Sequence, residues 1–321
     1  MATQIIKSRF LHDKIAFFSG FFPDRTTYDP IFLARREDRD SESVQYIRWR
    51  DIERRINFAR RDFRRNFNLF DSLGPFRDKP ERTYLYSGET ASRIGNTGAN
   101  TAILLSSDAS RRGSESKAML ADISRWFEVT GIAKSIKIHP ISPRHSELVL
   151  VEKDGSQHNI SDVGFGCSQV LPVLAASLNA FAARRAPFDY PIFVVQEPEI
   201  HLHPNAQAAL GSFFAGVLPA RGQLFIETHS DNLILRVAQH VADGKLDCDD
   251  VRIFYVAKKD GASRVTSLEL NPDGSLGRNW PDGFFPQRQS ESLALAKAIS
   301  RKGEKPEGNR QMRFSYPEDA K

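Results

Sequence analysis

Cysteine is scarce in this sequence. Cys167 and Cys248 are the only two in 321 residues, and they fall in different segments. No disulfide framework can hold such a chain, and a reducing cytoplasm is the expected setting. Long apolar runs are also missing, and none approaches the roughly 20 residues that span a bilayer. Lys7 and Arg9 stand among scattered apolar residues with no cleavage-site pattern after them, which argues against a signal peptide. No internal repeat is found. Charge of one sign is in small excess: 45 Lys and Arg against 40 Asp and Glu give a formal +5. That permits an acidic or nucleic-acid partner without requiring one. With 40% hydrophobic and 26% charged residues, the chain can build one large globular domain or two.

What is present is organised around Ile192-Phe-Val-Val-Gln-Glu-Pro-Glu-Ile-His-Leu-His-Pro204. Four apolar residues without alternation read as a strand buried on both faces, as in a parallel sheet. The polar residues that follow then lie beyond the carboxyl end of the strand, where α/β sheets keep their chemistry. Pro204 suits the first turn of a helix, where its missing N–H costs nothing. Upstream, Asp162-Val-Gly-Phe-Gly-Cys-Ser-Gln-Val-Leu-Pro leads into a helix. Downstream, Gly222-Gln-Leu-Phe-Ile-Glu-Thr-His-Ser-Asp reads as a second buried strand ending in polar groups.

Taken in order, Lys14 to Gly20 is strand-like. Val44 to Phe70 has apolar residues at helical spacing, with Arg54, Arg55, Arg60, Arg61, Arg64 and Arg65 mostly off the stripe. Those arginines read either as a solvated helix face or as a ridge that meets nucleic-acid phosphates. Gly74 and Pro75 break the pattern. Ile94-Gly-Asn-Thr-Gly-Ala-Asn reads as a loop. Lys117 to Val129 carries Met119, Leu120, Ile123, Trp126 and Phe127 on one helical face. Ser135 to Ile141 and Glu147 to Glu152 are expected strands, and Asp154-Gly155 turns the second into His158 to Ser161. Helices are expected over Val170 to Arg184, Pro204 to Val217 and Asn232 to Ala242, with strands over Pro191 to Glu197 and Gln223 to Glu227. Val251 to Ala257 and Arg264 to Leu270 form a hairpin across Asp260-Gly261. Glu291 to Ile299 is a short helix, and Arg301 to Lys321 is polar enough for disorder.

The order of a glycine-Ser-Gln turn, a Glu-bearing strand and a His-bearing strand resembles the ABC-type ATPases. It is most similar to the SMC/RecF/OLD-like branch, and within it to bacterial AAA ATPases that end in a domain of unknown function. Leu73-Gly-Pro-Phe-Arg, Tyr84 and Tyr86 resemble the return from an inserted arm, and Asn279-Trp-Pro-Asp-Gly-Phe-Phe resembles a tail motif. The resemblance covers Leu73 to Ala298. It implies an α/β fold, an ABC ATPase-like P-loop NTPase core with a mostly parallel sheet. The divisions are then 1–72 an arm remnant, 73–257 the core, 258–300 a tail with a β-hairpin and 301–321 a disordered end.

The resemblance also implies roles. Glu197 becomes the carboxylate that activates water against a γ-phosphate, since phosphoryl transfer is mostly positioning and charge stabilisation. His229 becomes the histidine that senses that phosphate. Gly164, Gly166, Ser168 and Gln169 become a signature loop that closes on the nucleotide of an opposite subunit, which implies a dimer. Position 196 is usually acidic and holds Mg²⁺ through water; here it is Gln196, which brings no charge. Each residue also has a plainer reading: Glu197 a cap or ion pair, His229 a satisfied strand-end residue, the glycines a bare helix start. Glu199, His201 and His203 have ligand spacing for zinc, but the resemblance makes them a loop facing the partner.

One element is missing. Gly-x-x-x-x-Gly-Lys-Ser/Thr occurs nowhere, so the phosphate cradle, its lysine and its Mg²⁺-binding hydroxyl are absent from this sequence. The expectation is a split or truncated ATPase domain whose Walker A half comes in cis or in trans, with ATP and Mg²⁺ bound only then. A DNA-maintenance or phage-defence effector is the expected output, with no membrane contact. The alternative is a catalytically inactive module that binds nucleic acid or a partner protein through its basic helix.

Overall fold

The strand Ile192–Gln196 is the middle of a three-stranded parallel sheet, and the rest of the chain is arranged around it. The structure, a computed structural model, describes residues 16–19, 22–26, 54–59, 61, 69–85, 88, 91–110, 118–182, 191–218, 222–277 and 285–302. In chain order these form β1 (Ala16–Ser19), β2 (Phe22–Thr26), helical residues 54–59 (α1), β3 (Phe70–Leu73), β4 (Tyr84–Leu85), α2 (Thr101–Ser110) and α3 (Ala118–Thr130). There follow β5 (Ser135–Pro140), β6 (His145–Val151), β7 (Gln157–Asn159), α4 (Phe165–Ala180), β8 (Ile192–Gln196), α5 (Pro204–Val217), β9 (Gln223–Glu227) and α6 (Asp231–Ala242). The chain then passes a 3-10 turn at Cys248–Asp250 to β10 (Ile253–Lys259), β11 (Ala262–Leu268) and α7 (Phe285–Lys302).

The parallel sheet runs β3-β8-β9. Its register aligns Phe70, Ile192 and Gln223 at one end and Gln196 with Glu227 at the other. β8, α5 and β9 make a β-α-β unit, so the carboxyl ends of β8 and β9 open on the same edge. Side chains alternate across the sheet. Leu73, Phe193 and Val195 point into a core shared with α4, α3 and α2, where Phe127, Ile123, Leu105, Leu174 and Leu210 are fully buried. The opposite face holds Phe70, Ile192, Val194 and Phe225, and Phe225 is 53% exposed.

The remaining strands pair antiparallel. β6 binds β5 along one side and β4 and β7 along the other. Asn159 locks this second sheet: its side chain donates to the Arg82 carbonyl (2.9 Å) and to Glu147 Oε2 (2.8 Å). The fold is thus mixed α/β with a parallel sheet, and the antiparallel strands outnumber the parallel ones among the described residues.

Several expectations hold closely. α3 buries the five residues of its stripe. α5 begins at Pro204, with the His203 ring accepting from the Asn205 amide at 3.5 Å. β10 and β11 turn at Asp260 and Gly261, both with positive φ (53° and 79°), the conformation of a two-residue primed turn. Three differ. The helical pattern to Phe70 gives way earlier, because Phe70–Leu73 pairs with β8 as a strand. α4 starts at Phe165, five residues ahead of its apolar run, and contains Pro172. α2 was not foreseen; its Asp108 reaches across to accept from the Met119 and Leu120 amides of α3. The stretches 27–53, 62–68, 278–284 and 303–321, including the rest of the arginine-rich segment, most of the tail motif and nearly all of the polar end, lie outside the described residues, as does Tyr86.

Candidate functional site

Glu197 follows β8 directly. Its amide donates to the Glu227 carbonyl at 2.7 Å and adds one rung to the parallel ladder. Its own φ is 44°, a left-handed conformation that side-chain-bearing residues avoid. The bend takes the chain out of the strand and turns the carboxylate toward the end of β9. There Thr228, His229 and Ser230 lead into α6, whose first turn is capped by the Ser230 hydroxyl accepting from the Leu233 amide (3.1 Å). His229 Nε2 comes within 3.8 Å of Glu197 Oε1, with 78% and 31% of the two side chains open to solvent. A carboxylate and an imidazole therefore meet at the sheet edge, both reachable by a ligand.

The surroundings fix this pair. Glu199 is buried, and its Oε1 accepts from the His229 amide at 2.6 Å. Arg77, from the loop after β3, is buried too. Its Nη2 donates to the carbonyls of Gln196 (2.7 Å) and Glu197 (3.1 Å). Burial pushes the Arg77 guanidinium down to about 10, against the pull of the Glu199 and Glu197 charges. Sequence reasoning missed Arg77. A lone cation two residues after Gly-Pro reads as a loop residue, and its partners are 119 and 120 positions away.

The segment from Gly164 to Gln169 is built differently. Ser168 is 6% exposed, and its hydroxyl donates to the Phe165 carbonyl at 3.0 Å, inside its own helix. It borders a cavity of about 330 Å³ lined by Asp78, Lys79, Tyr84, Thr101 and Leu171. Gln169 is buried, with its amide 3.5 Å from the Asp78 carbonyl. Gly166 has an internal reason: a Cβ there would stand 2.6 Å from the His201 carbonyl, so the α4 start and the loop after β8 touch backbone to backbone. A Cβ at Gly164 would meet nothing within 4 Å.

His201 and His203 part company. His201 lies edge-on to Phe165, ring centroids 5.2 Å apart, while His203 caps α5. No group of three His, Cys, Asp or Glu side chains among the described residues is arranged to hold a metal ion. Gln196 gives its amide to Glu227 Oε2 at 2.7 Å. Glu227 was not singled out in the sequence, although the strand register places it opposite position 196.

The family described as "AAA domain, putative AbiEii toxin, Type IV TA system" matches residues 4–236. The chain belongs to this AAA-domain family. Residues 246–295 match a second family, a protein of unknown function (DUF3696). No curated protein matches the sequence. Among solved structures, the Smc head domain with a coiled coil and joint from Pyrococcus yayanosii is 19% identical, over 49% of this chain and 28% of its own, with a TM-score of 0.36. A structure from work on ATP-driven dimerization and DNA stimulated activation of SMC ATPases is 15% identical, over 65% of this chain and 99% of its own, with a TM-score of 0.37. The SMC head domain from Thermotoga maritima is 9% identical, over 56% of this chain and 58% of its own, with a TM-score of 0.34. The AAA-domain chain thus spans little more than a quarter of the Pyrococcus yayanosii polypeptide.

An AAA-domain family implies ATP and Mg²⁺ in general. A hard divalent cation needs several oxygens with net negative charge. At the strand end Gln196 is neutral and its amide is engaged by Glu227. Arg77, whose Nη2 meets the Glu197 carbonyl, is buried against carbonyls and so does not face a phosphate. These residues by themselves do not fit Mg²⁺ or a triphosphate. What they place at the open strand edge is a carboxylate beside an imidazole. No helix among the described residues is long and apolar enough to cross a membrane.

Proposed function

We propose that this AAA domain is the water-activating half of an ATPase site, and that the phosphate cradle comes from a separate stretch of polypeptide, in cis or in trans. The observation that carries this reading is the 3.8 Å approach of Glu197 Oε1 to His229 Nε2 at the open edge of adjacent parallel strands. In the assembled site Glu197 takes a proton from the water that attacks the γ-phosphate, and His229 orients that water or donates to a phosphoryl oxygen. ATP binds with Mg²⁺ once the cradle is supplied, and Gly164, Gly166, Ser168 and Gln169 brace the first turn of α4, which faces the nucleotide of a second subunit. The core runs to residue 257 and the tail covers 258–300, most of it inside the 246–295 stretch matched by the second family. The output is a DNA-maintenance or defence effector, in keeping with the toxin named in the family's description.

The test uses the full chain with Glu197→Gln as bait in its source cells, with and without Mg-ATP. Capture should depend on ATP and bring down a polypeptide with a Gly-x-x-x-x-Gly-Lys-Ser/Thr loop. The reconstituted pair should hydrolyse ATP, and Glu197→Gln should slow it by about 10² or more. Equal turnover with Glu197→Gln overturns the role of Glu197. Turnover by the chain alone, abolished by Glu197→Gln, overturns the need for a second segment. The occupied amide of Gln196 favours a second reading, a non-catalytic interaction module. That reading requires assembly that ignores ATP.

A further inference from the structure

We propose that Arg77 is a positioning residue that aims Glu197 at His229 through the main chain. This rests on the reading of Glu197 given above. Arg77 is anchored at both ends. Its loop is pinned on both sides to the turn before α2: the Gly74 amide donates to the Asn96 carbonyl (2.7 Å), and the Asp78 amide to the Thr97 carbonyl (2.9 Å). The Thr97 hydroxyl adds a bond to Asp78 Oδ2 at 2.7 Å. The base of the arginine is therefore fixed independently of β8.

Its tip grips two consecutive carbonyls, those of Gln196 and Glu197, where the β8 ladder ends. Glu197 holds a left-handed backbone that persists only when its neighbours over-determine it. The Glu227 carbonyl fixes one side of the residue by accepting from its amide, and Arg77 fixes the other by donating to its carbonyl. With both peptide planes held, the Cα–Cβ direction is set, and the carboxylate stands beside the imidazole.

Stability alone does not account for an arginine here. It is 7% exposed, and its Nε and Nη1 have no hydrogen-bond partner among the described residues. Buried donors left unpaired are costly, and an apolar side chain of similar length would fill the space with no such cost. What the apolar chain would not supply is the Nη2 donor that serves both carbonyls. Arg77 thus holds the main chain at Glu197 directly, while Glu199 holds that of His229.

The experiment reads the pair directly and needs no nucleotide. In the full chain labelled at histidine, the ring signal of His229 is assigned by its loss in His229→Gln. The shift of that signal caused by Glu197→Gln is then measured with Arg77, with Arg77→Lys and with Arg77→Met. The shift should fall below about half in Arg77→Met and lie between the two in Arg77→Lys, whose ammonium can donate but reaches less far than Nη2. An undiminished shift in Arg77→Met, with the thermal transition retained, overturns the proposal. If Arg77→Met does not fold, an undiminished shift in Arg77→Lys overturns it. A His229 signal that ignores Glu197→Gln when Arg77 is present removes the pairing itself, which separates failure of the underlying reading from failure of this one.

Discussion

The edge formed by β8 and β9 and the start of α4 stand near one another yet are built on opposite plans. At the edge, a residue with a side chain holds a left-handed backbone, and an imidazole is mostly in solvent. At the start of α4, Ser168 and Gln169 are packed away and the Ser168 hydroxyl is bonded inside its own helix. The first region stores strain and exposes reactive groups, and the second braces it. Strain survives where surrounding structure over-determines it, and Gly166 against the His201 carbonyl is part of that surrounding structure. In this conformation α4 offers a ligand its first turn, at Gly164 and Phe165, rather than the Ser168 side chain.

The largest effect that would break the contrast comes from the bracing side. Gly166→Ala puts a Cβ 2.6 Å from the His201 carbonyl, backbone against backbone. It should cost about 2–3 kcal/mol by urea denaturation. Gly164→Ala faces open space and should cost under about 1 kcal/mol. Equal costs would mean that the two segments do not touch as described.

A smaller effect of opposite sign is expected at the edge. Glu197→Gly removes the side chain from a residue at φ 44°. It should stabilise the chain by about 1 kcal/mol, because the left-handed region costs glycine little. A loss instead would show that contacts of the Glu197 side chain outweigh its backbone strain. A gain would match the common trade of stability against function.

The smallest effect is at Glu147, a carboxylate on β6 of the antiparallel sheet, away from both regions. The hydrogen bond from His139 and then that from Asn159 hold its pKa below the usual range. A carboxyl depressed in the folded state adds stability above its unfolded pKa, and that part is lost as pH falls through the folded value. Between pH 6 and 3 the urea midpoint of Glu147→Gln should therefore fall less steeply than that of the native chain. Parallel slopes would remove Glu147 from the acid response.

Much of this arrangement could be read from residue order, because its causes are local. Ile192 to Val195 runs without alternation into a polar segment, and Pro204 marks the helix start at its first residue. Asp260-Gly261 fixes a hairpin through two positive φ values. β3 was hidden because Phe70 continues the helical spacing of the preceding phenylalanines, and only pairing with β8 makes four residues a strand. α2 was hidden by its serines and by Asp108, whose buried carboxylate serves the amides of another helix. For the candidate site, Glu197 and His229 were legible from their strand ends. Arg77 and Glu227 were not, since both act across the sheet. The glycines of the signature segment were legible as places of close approach, but what approaches Gly166 is the chain itself.

The face of the parallel sheet turned away from α4 has a practical consequence. Phe70 stands beside Ile192, and Phe225 beside Val194, with both phenyl rings wet. Parallel sheets ordinarily keep both faces covered, and a contiguous apolar patch drives self-association. Self-association through this face is the expected outcome, read as light scattering that rises with protein concentration. Salting-out buffers will stack the isolated polypeptide into aggregates, and dilute, low-salt solution will keep it dispersed.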